Sequence, residues 1–281
     1  LGVRFLGYLP MLTRAERGAG QARRSAEGGD DAASPPPDAS PPRGRPVTYP
    51  LAHLAQPRSR YSETLRTIRN VSGHASASGA GTVLGVTSIL PGEGKTTVAA
   101  DLAGMLSIAT GSVLLVDGDP RRAGLSRMLG IDEDANLMRA IEGGVDWRDC
   151  RSTVADTDVD VIGWAHPRTV SHPTEVLSSP GMHQILAEAA REYSQVVVDL
   201  SPLGPIVDAR ELLFSVDQLL MVSRWGRTPR AAMRQTLRDE PEIASRLIGI
   251  VFNAVDLERL RQFNGPLQGG TEGDAYGPYF D

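Results

Sequence analysis

Apolar residues fall along this chain in two spacings. Six short runs are continuous or β-branched: VLGVTS (83–88), SVLLVD (112–117), VDVIGW (159–164), QVVVDL (195–200), QLLMVS (218–223) and LIGIVFN (247–253). Unbroken apolar runs of this length predict strands buried on both faces. Between most of them apolar residues recur at helical spacing, as in TVAADLAGMLSIA (97–109). Strand and helix in alternation predict an α/β fold: a mostly parallel sheet with helices on both faces. A leading helix is expected over SRYSETLRTIRNVS (59–72). Its Tyr61, Leu65 and Ile68 form an apolar stripe at i, i+4, i+7, and Glu63, Arg66 and Arg69 lie on the other side. By residue type alone that second face is a solvated one carrying an ion pair of little weight.

The pattern also divides the chain. Residues 1–12 are apolar. Residues 13–58, with SPPPDASPPRGRP among them, are too polar and too rich in Pro, Ala, Ser and Arg to bury a core, and are expected to be a disordered linker. The globular domain is expected over 59–264, and a flexible, Gly-rich acidic tail over 265–281.

Composition removes several classes of function. The net charge is −5 and no dense basic block occurs, which excludes a nucleic-acid partner. One cysteine, Cys150, cannot form an internal disulfide. No apolar run is long enough to span a bilayer. The chain begins with Leu1 rather than Met, so it is expected to be a piece of something longer.

Chemistry concentrates in PGEGKTT (91–97). It holds Lys95, the chain's sole lysine; the other basic residues are arginines. A strand precedes the motif and a helix follows it. Gly92 and Gly94 let backbone N–H groups turn inward toward phosphate oxygens, and the helix N-terminus adds a field that favours an anion. Lysine is a compact charge on a flexible stem, suited to reach between phosphates, where arginine is a planar fork. The segment reads as a P-loop, making the expected architecture P-loop NTPase-like, with Pro91, Gly92, Glu93, Gly94, Lys95, Thr96 and Thr97 as nucleotide-binding residues and Thr96 as a Mg²⁺ ligand. Ile89 stands where the pattern asks for glycine.

Two further motifs end strands. VLLVDGDPRR places Asp117, Asp119 and Arg121 just past one, and VVVDLSP places Asp199 past another. A lone acid there is ordinarily a cap or turn residue. Three on the edge that carries a P-loop point instead to Mg²⁺ and proton chemistry, because ligands of open α/β sheets bind at the carboxyl ends of strands. Asp208 is expected to cap the helix at ARELL. His166, His172 and His183 lack metal-ligand spacing. Trp225 either covers a nucleotide or packs.

Together SILPGEGKTTVAADLA, VLLVDGDPRR and VVVDLSP resemble the Walker A, A′ and B motifs of the bacterial tyrosine kinases, the cytoplasmic domains of exopolysaccharide and capsule co-polymerases. SRYSETLRTIRNVS resembles that family's leading helix, HPTEVLSSPGM its NPAELLSSP stretch, and LGVRFLGYLP the segment after its second transmembrane helix. The resemblance implies an ATP-dependent protein-tyrosine autokinase regulating polysaccharide polymerisation and export, with ATP and Mg²⁺ as cofactors. Lys95 would contact phosphates, Thr96, Asp117 and Asp199 would serve the metal, and Asp117 or Asp119 would receive the acceptor's proton. Glu63, Arg66 and Arg69 would join subunits into a homo-oligomeric ring. Tyr276 and Tyr279, fewer than the family's usual tail cluster, would be phosphorylated. A membrane-embedded co-polymerase part and a phosphotyrosine phosphatase are the implied partners. The place is the cytoplasmic face of the inner membrane, with a transmembrane segment upstream of residue 1 and residues 1–12 as its juxtamembrane remnant. Two alternatives stand beside this: an ATP-binding module without kinase action, and a ParA/MinD-type ATPase. The second conflicts with Leu90, where those proteins carry a further lysine.

Overall fold

The computed structural model describes residues 2–12, 44–49, 51–52, 56–73, 81–131, 136–165, 170, 172–204 and 208–263. Among these described residues nine strands form one sheet: β1 Phe5–Pro10, β2 Gly44–Val47, β3 Thr82–Ser88, β4 Val113–Gly118, β5 Ser152–Val154, β6 Val159–Ile162, β7 Gln195–Leu200, β8 Gln218–Arg224 and β9 Leu247–Val255. Their order is β1-β9-β8-β3-β7-β4-β6-β5-β2. Neighbours run parallel except β5 and β6. The helices are α1 Arg60–Ser72, α2 Lys95–Thr110, α3 Gly124–Leu129, α4 Leu137–Ile141, α5 Pro173–Leu177, α6 Pro180–Glu192, α7 Asp208–Glu211, α8 Arg230–Asp239, α9 Pro241–Arg246 and α10 Leu257–Phe263.

The six strands expected from the apolar runs are all present. Central β3, β4 and β7 are buried at every position, because helices cover both faces of the sheet. One core joins Leu84, Val86, Leu115 and Val197 to Leu65, Ile68, Val98 and Leu102 of α1 and α2. The other joins Leu114, Val116, Val196 and Val198 to Met182, Ile185, Met233 and Ile243 beneath α6, α8 and α9. α2 is small and apolar nearly all round, which suits a helix held between the sheet and α1.

Two segments expected ahead of the folded domain belong to its sheet. Phe5–Pro10 pairs with β9 at one edge, with Leu6 and Leu9 buried, so it is a strand and more than a juxtamembrane remnant. Gly44–Val47 pairs with β5 at the opposite edge, and Val47, Leu51 and Ala52 are buried, so the linker expected through residue 58 stops short of it. Residues 13–43 and the tail over 265–281, including Tyr276 and Tyr279, lie outside the described residues.

α1 follows its sequence pattern. Ser59 caps it by accepting from the Ser62 amide, and Tyr61, Leu65 and Ile68 are buried. Register then aligns the functional strand ends: Asp117 of β4 is the partner of Asp199 of β7.

Candidate nucleotide-binding site

Between β3 and α2 the chain turns at two left-handed glycines, Gly92 at φ +79° and Gly94 at φ +90°. At Gly94 a Cβ would also fall 2.1 Å from Asn253 Nδ2, so this position admits no side chain. Ile89 avoids the positive-φ region, so its backbone makes no demand for glycine. Its side chain is 2% exposed and packs in the core behind the loop.

Lys95 and Thr96 open α2 and meet the acids of the neighbouring strand ends. Lys95 Nζ lies 3.1 Å from Asp199 Oδ1 and 3.4 Å from Asp119 Oδ2. Thr96 Oγ1 donates to Asp199 Oδ2 at 2.7 Å. Burial is the largest influence on the Lys95 ammonium and pulls its pKa down, yet Asp199 and Asp119 outweigh it and leave the pKa raised. Lys95 is therefore a fixed cation. Burial pushes the Asp199 carboxyl up, opposed by Lys95 and Thr96.

Asp117 sits deeper. Its carboxylate accepts from the Asp119 amide at 3.1 Å and from the Ser126 amide and hydroxyl at 2.9 and 2.7 Å. Burial, then the charge of Asp199, raises it to about 7. Trp164 braces this corner: its indole donates to the Asp117 carbonyl at 2.8 Å and its amide to Ser126 Oγ at 2.9 Å. Asp119 stands closer to the loop. Its Oδ2 is buried, makes no hydrogen bond, and faces Lys95.

This donor set suits Mg²⁺. The cation takes a hydroxyl and one or two carboxylates and completes its shell from phosphates and water. Thr96, Asp199 and Asp119 supply hard oxygens in one place, and one of those oxygens is an orphan. Among the described residues no three His, Cys, Asp or Glu side chains form an all-protein metal cage.

Glu93 differs from its loop neighbours. Its side chain is 1% exposed and spends its carboxylate on backbone and side-chain donors. It accepts from the Leu90 amide at 2.7 Å and the Arg224 amide at 3.1 Å, and also contacts the Thr228 hydroxyl. Asn253 Nδ2 donates to the Glu93 carbonyl at 2.9 Å. A cleft of about 200 Å³ opens beside the loop, lined by Gly92, Glu93, Gly94, Thr97, Arg224, Asn253 and Tyr61 together with residues 10–12. Tyr61 is held there by Asp101 of α2, whose carboxylate accepts from its hydroxyl at 2.6 Å and from the Ala52 amide at 3.0 Å. Burial raises Asp101 to about 6 against the pull of those bonds.

The other candidates disperse. Glu63 and Arg66 pair on the outer face of α1, and Arg66 also donates to the Pro57 carbonyl at 2.6 Å. Asp208 is the first described residue of α7. It is fully buried and receives Arg121 at 3.0 Å and the Thr174 hydroxyl at 2.9 Å, because a buried carboxylate needs a charge partner. His183 contacts Ser215, His172 is exposed beside Glu175, and His166 lies outside the described residues. The Trp225 amide donates to the Asn253 carbonyl at 3.0 Å. Sequence reasoning missed Ser126, Arg224 and Asn253. Arg224 ends β8 and Asn253 lies two residues before the end of β9, so the strand-end rule that found Asp117 and Asp199 would have found them.

Residues 84–265, more than half of the chain, match the family described as the CobQ/CobB/MinD/ParA nucleotide binding domain. The chain belongs to that family. Within the CobQ/CobB/MinD/ParA fold, its similarity runs toward tyrosine kinases. It is 30% identical over 296 aligned residues to the succinoglycan biosynthesis transport protein ExoP of Rhizobium meliloti, an alignment covering 100% of this chain and 35% of that protein. It is 27% identical over 223 residues to the tyrosine-protein kinase YwqD of Bacillus subtilis, covering 79% of this chain and 92% of that one. Its fold matches the kinase domain of the Escherichia coli tyrosine kinase ETK with a TM-score of 0.70 at 21% identity, over 90% of this chain and 91% of that one. The resemblance carried by the three sequence motifs is thus borne out. The chain spans about a third of the length of the succinoglycan protein, 35%.

Proposed function

We propose that this chain is an ATP-dependent protein-tyrosine autokinase acting in exopolysaccharide or capsule polymerisation and export. The observation that carries the reading is the convergence of Lys95 and Thr96 on Asp199, with Asp119 beside them. A P-loop cation and hydroxyl and two strand-end acids are what phosphoryl transfer needs, since its catalysis is mostly positioning and charge neutralisation. Relatives with tyrosine-kinase names support the choice of acceptor.

In the proposed reaction the tyrosine hydroxyl oxygen attacks the γ-phosphorus of ATP. The bond from that phosphorus to the β–γ bridging oxygen breaks, and ADP leaves with its electron pair. The hydroxyl proton passes to a carboxylate. Asp119, whose buried Oδ2 makes no hydrogen bond, and Asp117, raised to about 7, are the two acceptors within the site. Lys95 holds the phosphates. Thr96 and Asp199 would hold Mg²⁺, whose charge would neutralise the phosphates.

The remaining parts of the reading are proposals of the same rank. Glu63, Arg66 and Arg69 form the contact of a homo-oligomeric ring. Tyr276 and Tyr279 accept phosphate, and a phosphotyrosine phosphatase reverses it. A co-polymerase part of the same or a partner chain anchors the domain to the cytoplasmic face of the inner membrane. The deciding experiment incubates the protein with labelled ATP and Mg²⁺ and maps the modified residues. Phosphotyrosine in the parent and none in a folded Lys95→Met variant is the expected result. Undiminished phosphotyrosine in that variant overturns the assignment.

A further inference from the structure

Lys95 is the chain's sole lysine, and it is held between two carboxylates. Its charge is largely spent on them. A triphosphate carries up to four negative charges, so a site built on Lys95 and a Mg²⁺ ion still has charge left for a further cation to meet. The loop after β8 supplies another. Arg224 Nη1 donates to the Gly92 carbonyl at 3.3 Å, and a Cβ built on Gly92 would lie 3.9 Å from Arg227 Nη1. Arg227 is exposed, and its side chain makes no ion pair among the described residues.

The position of Arg227 is fixed by a residue of the P-loop itself. The Arg227 and Thr228 amides donate to the Arg224 carbonyl at 3.2 Å each, and Gly226 at φ +70° allows the tight turn. The buried Glu93 carboxylate then takes the Arg224 amide and the Thr228 hydroxyl on one oxygen while its other oxygen holds Leu90. Glu93 thereby fastens the two ends of the 224–228 turn to the loop that Arg227 overlies.

We propose that Arg227 is a second phosphate-contacting cation of this site, and that Glu93 is the positioning residue that keeps it over Gly92. The proposal rests on the nucleotide-binding reading above and adds a residue to it. An exposed guanidinium reaching a phosphate makes a charge-assisted hydrogen bond that solvent and salt attenuate.

The test measures affinity for ATP and for AMP in the full chain, for the parent and for Arg227→Ala, Arg227→Lys, Glu93→Gln and the Arg227→Ala/Glu93→Gln pair. Thermal melting confirms that each is folded. Arg227→Ala is expected to weaken ATP about tenfold at low salt and AMP much less, with the gap closing as salt rises and with partial rescue by lysine. Glu93→Gln is expected to reproduce the effect, and the pair to lose little more than either single change, because both act through one contact. Equal losses for ATP and AMP, a loss independent of salt, or full additivity in the pair overturns the proposal and leaves nucleotide binding intact. A folded parent that binds no ATP overturns both.

Discussion

Restoring the glycine that the P-loop pattern asks for should damage this protein without improving its site. Ile89 is 2% exposed and belongs to the core cluster that includes Leu203 and Leu200. Its backbone is outside the positive-φ region, so a glycine at this position would relieve no strain. Removing a buried Ile side chain down to alanine costs about 2–5 kcal/mol through lost transfer and an unfilled cavity. Going on to glycine adds roughly 0.5–1 kcal/mol of backbone entropy. For a folded body of this size each kcal/mol moves the melting temperature by about 2–4 °C, so Ile89→Gly should melt on the order of 10 °C or more below the parent. Ile89→Val, losing one methylene, should cost about 0.5–1.5 kcal/mol. ATP affinity at a temperature where all three are folded should change less than about threefold, because the side chain points into the core and away from the cleft. The assay pairs calorimetric melting with ATP titration. An Ile89→Gly protein that melts with the parent, or one that gains tenfold in ATP affinity, would refute this account.

Three further outcomes follow from the same structure. The folded-state pKa of Asp101 is raised to about 6, so its native form holds a proton that the unfolded chain releases near pH 4; the parent should lose up to about 3 kcal/mol as pH rises from roughly 4 to 6, and Asp101→Asn should flatten that slope. Parallel stability curves for the two proteins would count against it. Gly94→Ala, whose new Cβ would lie 2.1 Å from Asn253 Nδ2 at a φ of +90°, should abolish ATP binding in a protein that still folds, and Asn253→Ala should not restore it because the backbone strain remains. Changing Glu63, Arg66 and Arg69 together to Ala should turn an oligomer into monomers by sedimentation with little change in melting, since Tyr61, Leu65 and Ile68 hold α1 in place; unaltered sedimentation would return this face to ordinary solvated surface.

The parts legible in sequence were those whose signal is local. β3, β4 and β7 announce themselves because strands covered on both faces must be apolar throughout, and Lys95 and Thr96 because a P-loop compresses its chemistry into consecutive residues. β1 and β2 did not. Gly7 and Pro10 break the pattern of the first and Pro46 that of the second, as edge strands permit. What makes Phe5–Pro10 a strand is its pairing with residues 250–255 at the other end of the sequence, and no window along the chain contains that fact. The same holds for Glu93. Its place in the motif says nothing of the turn more than a hundred residues away that its carboxylate serves. Asp208 looked like a cap because a helix follows it, and only the fold brings Arg121 and Thr174 onto its buried carboxylate.

The two outermost strands both precede α1 in sequence, and they close opposite rims of the sheet. A fragment started at Ser59, where the apolar pattern would place the domain boundary, would lose both. β9 would then present an unpaired ladder of N–H and C=O groups along LIGIVFNAV, a β-branched and apolar stretch. β5 would present a shorter one. Bare rims of that kind invite edge-to-edge association of separate molecules. β1 and β2 therefore cover both rims of the sheet, and a fragment trimmed of them would yield a sticky protein whose assemblies say nothing about the ring proposed above.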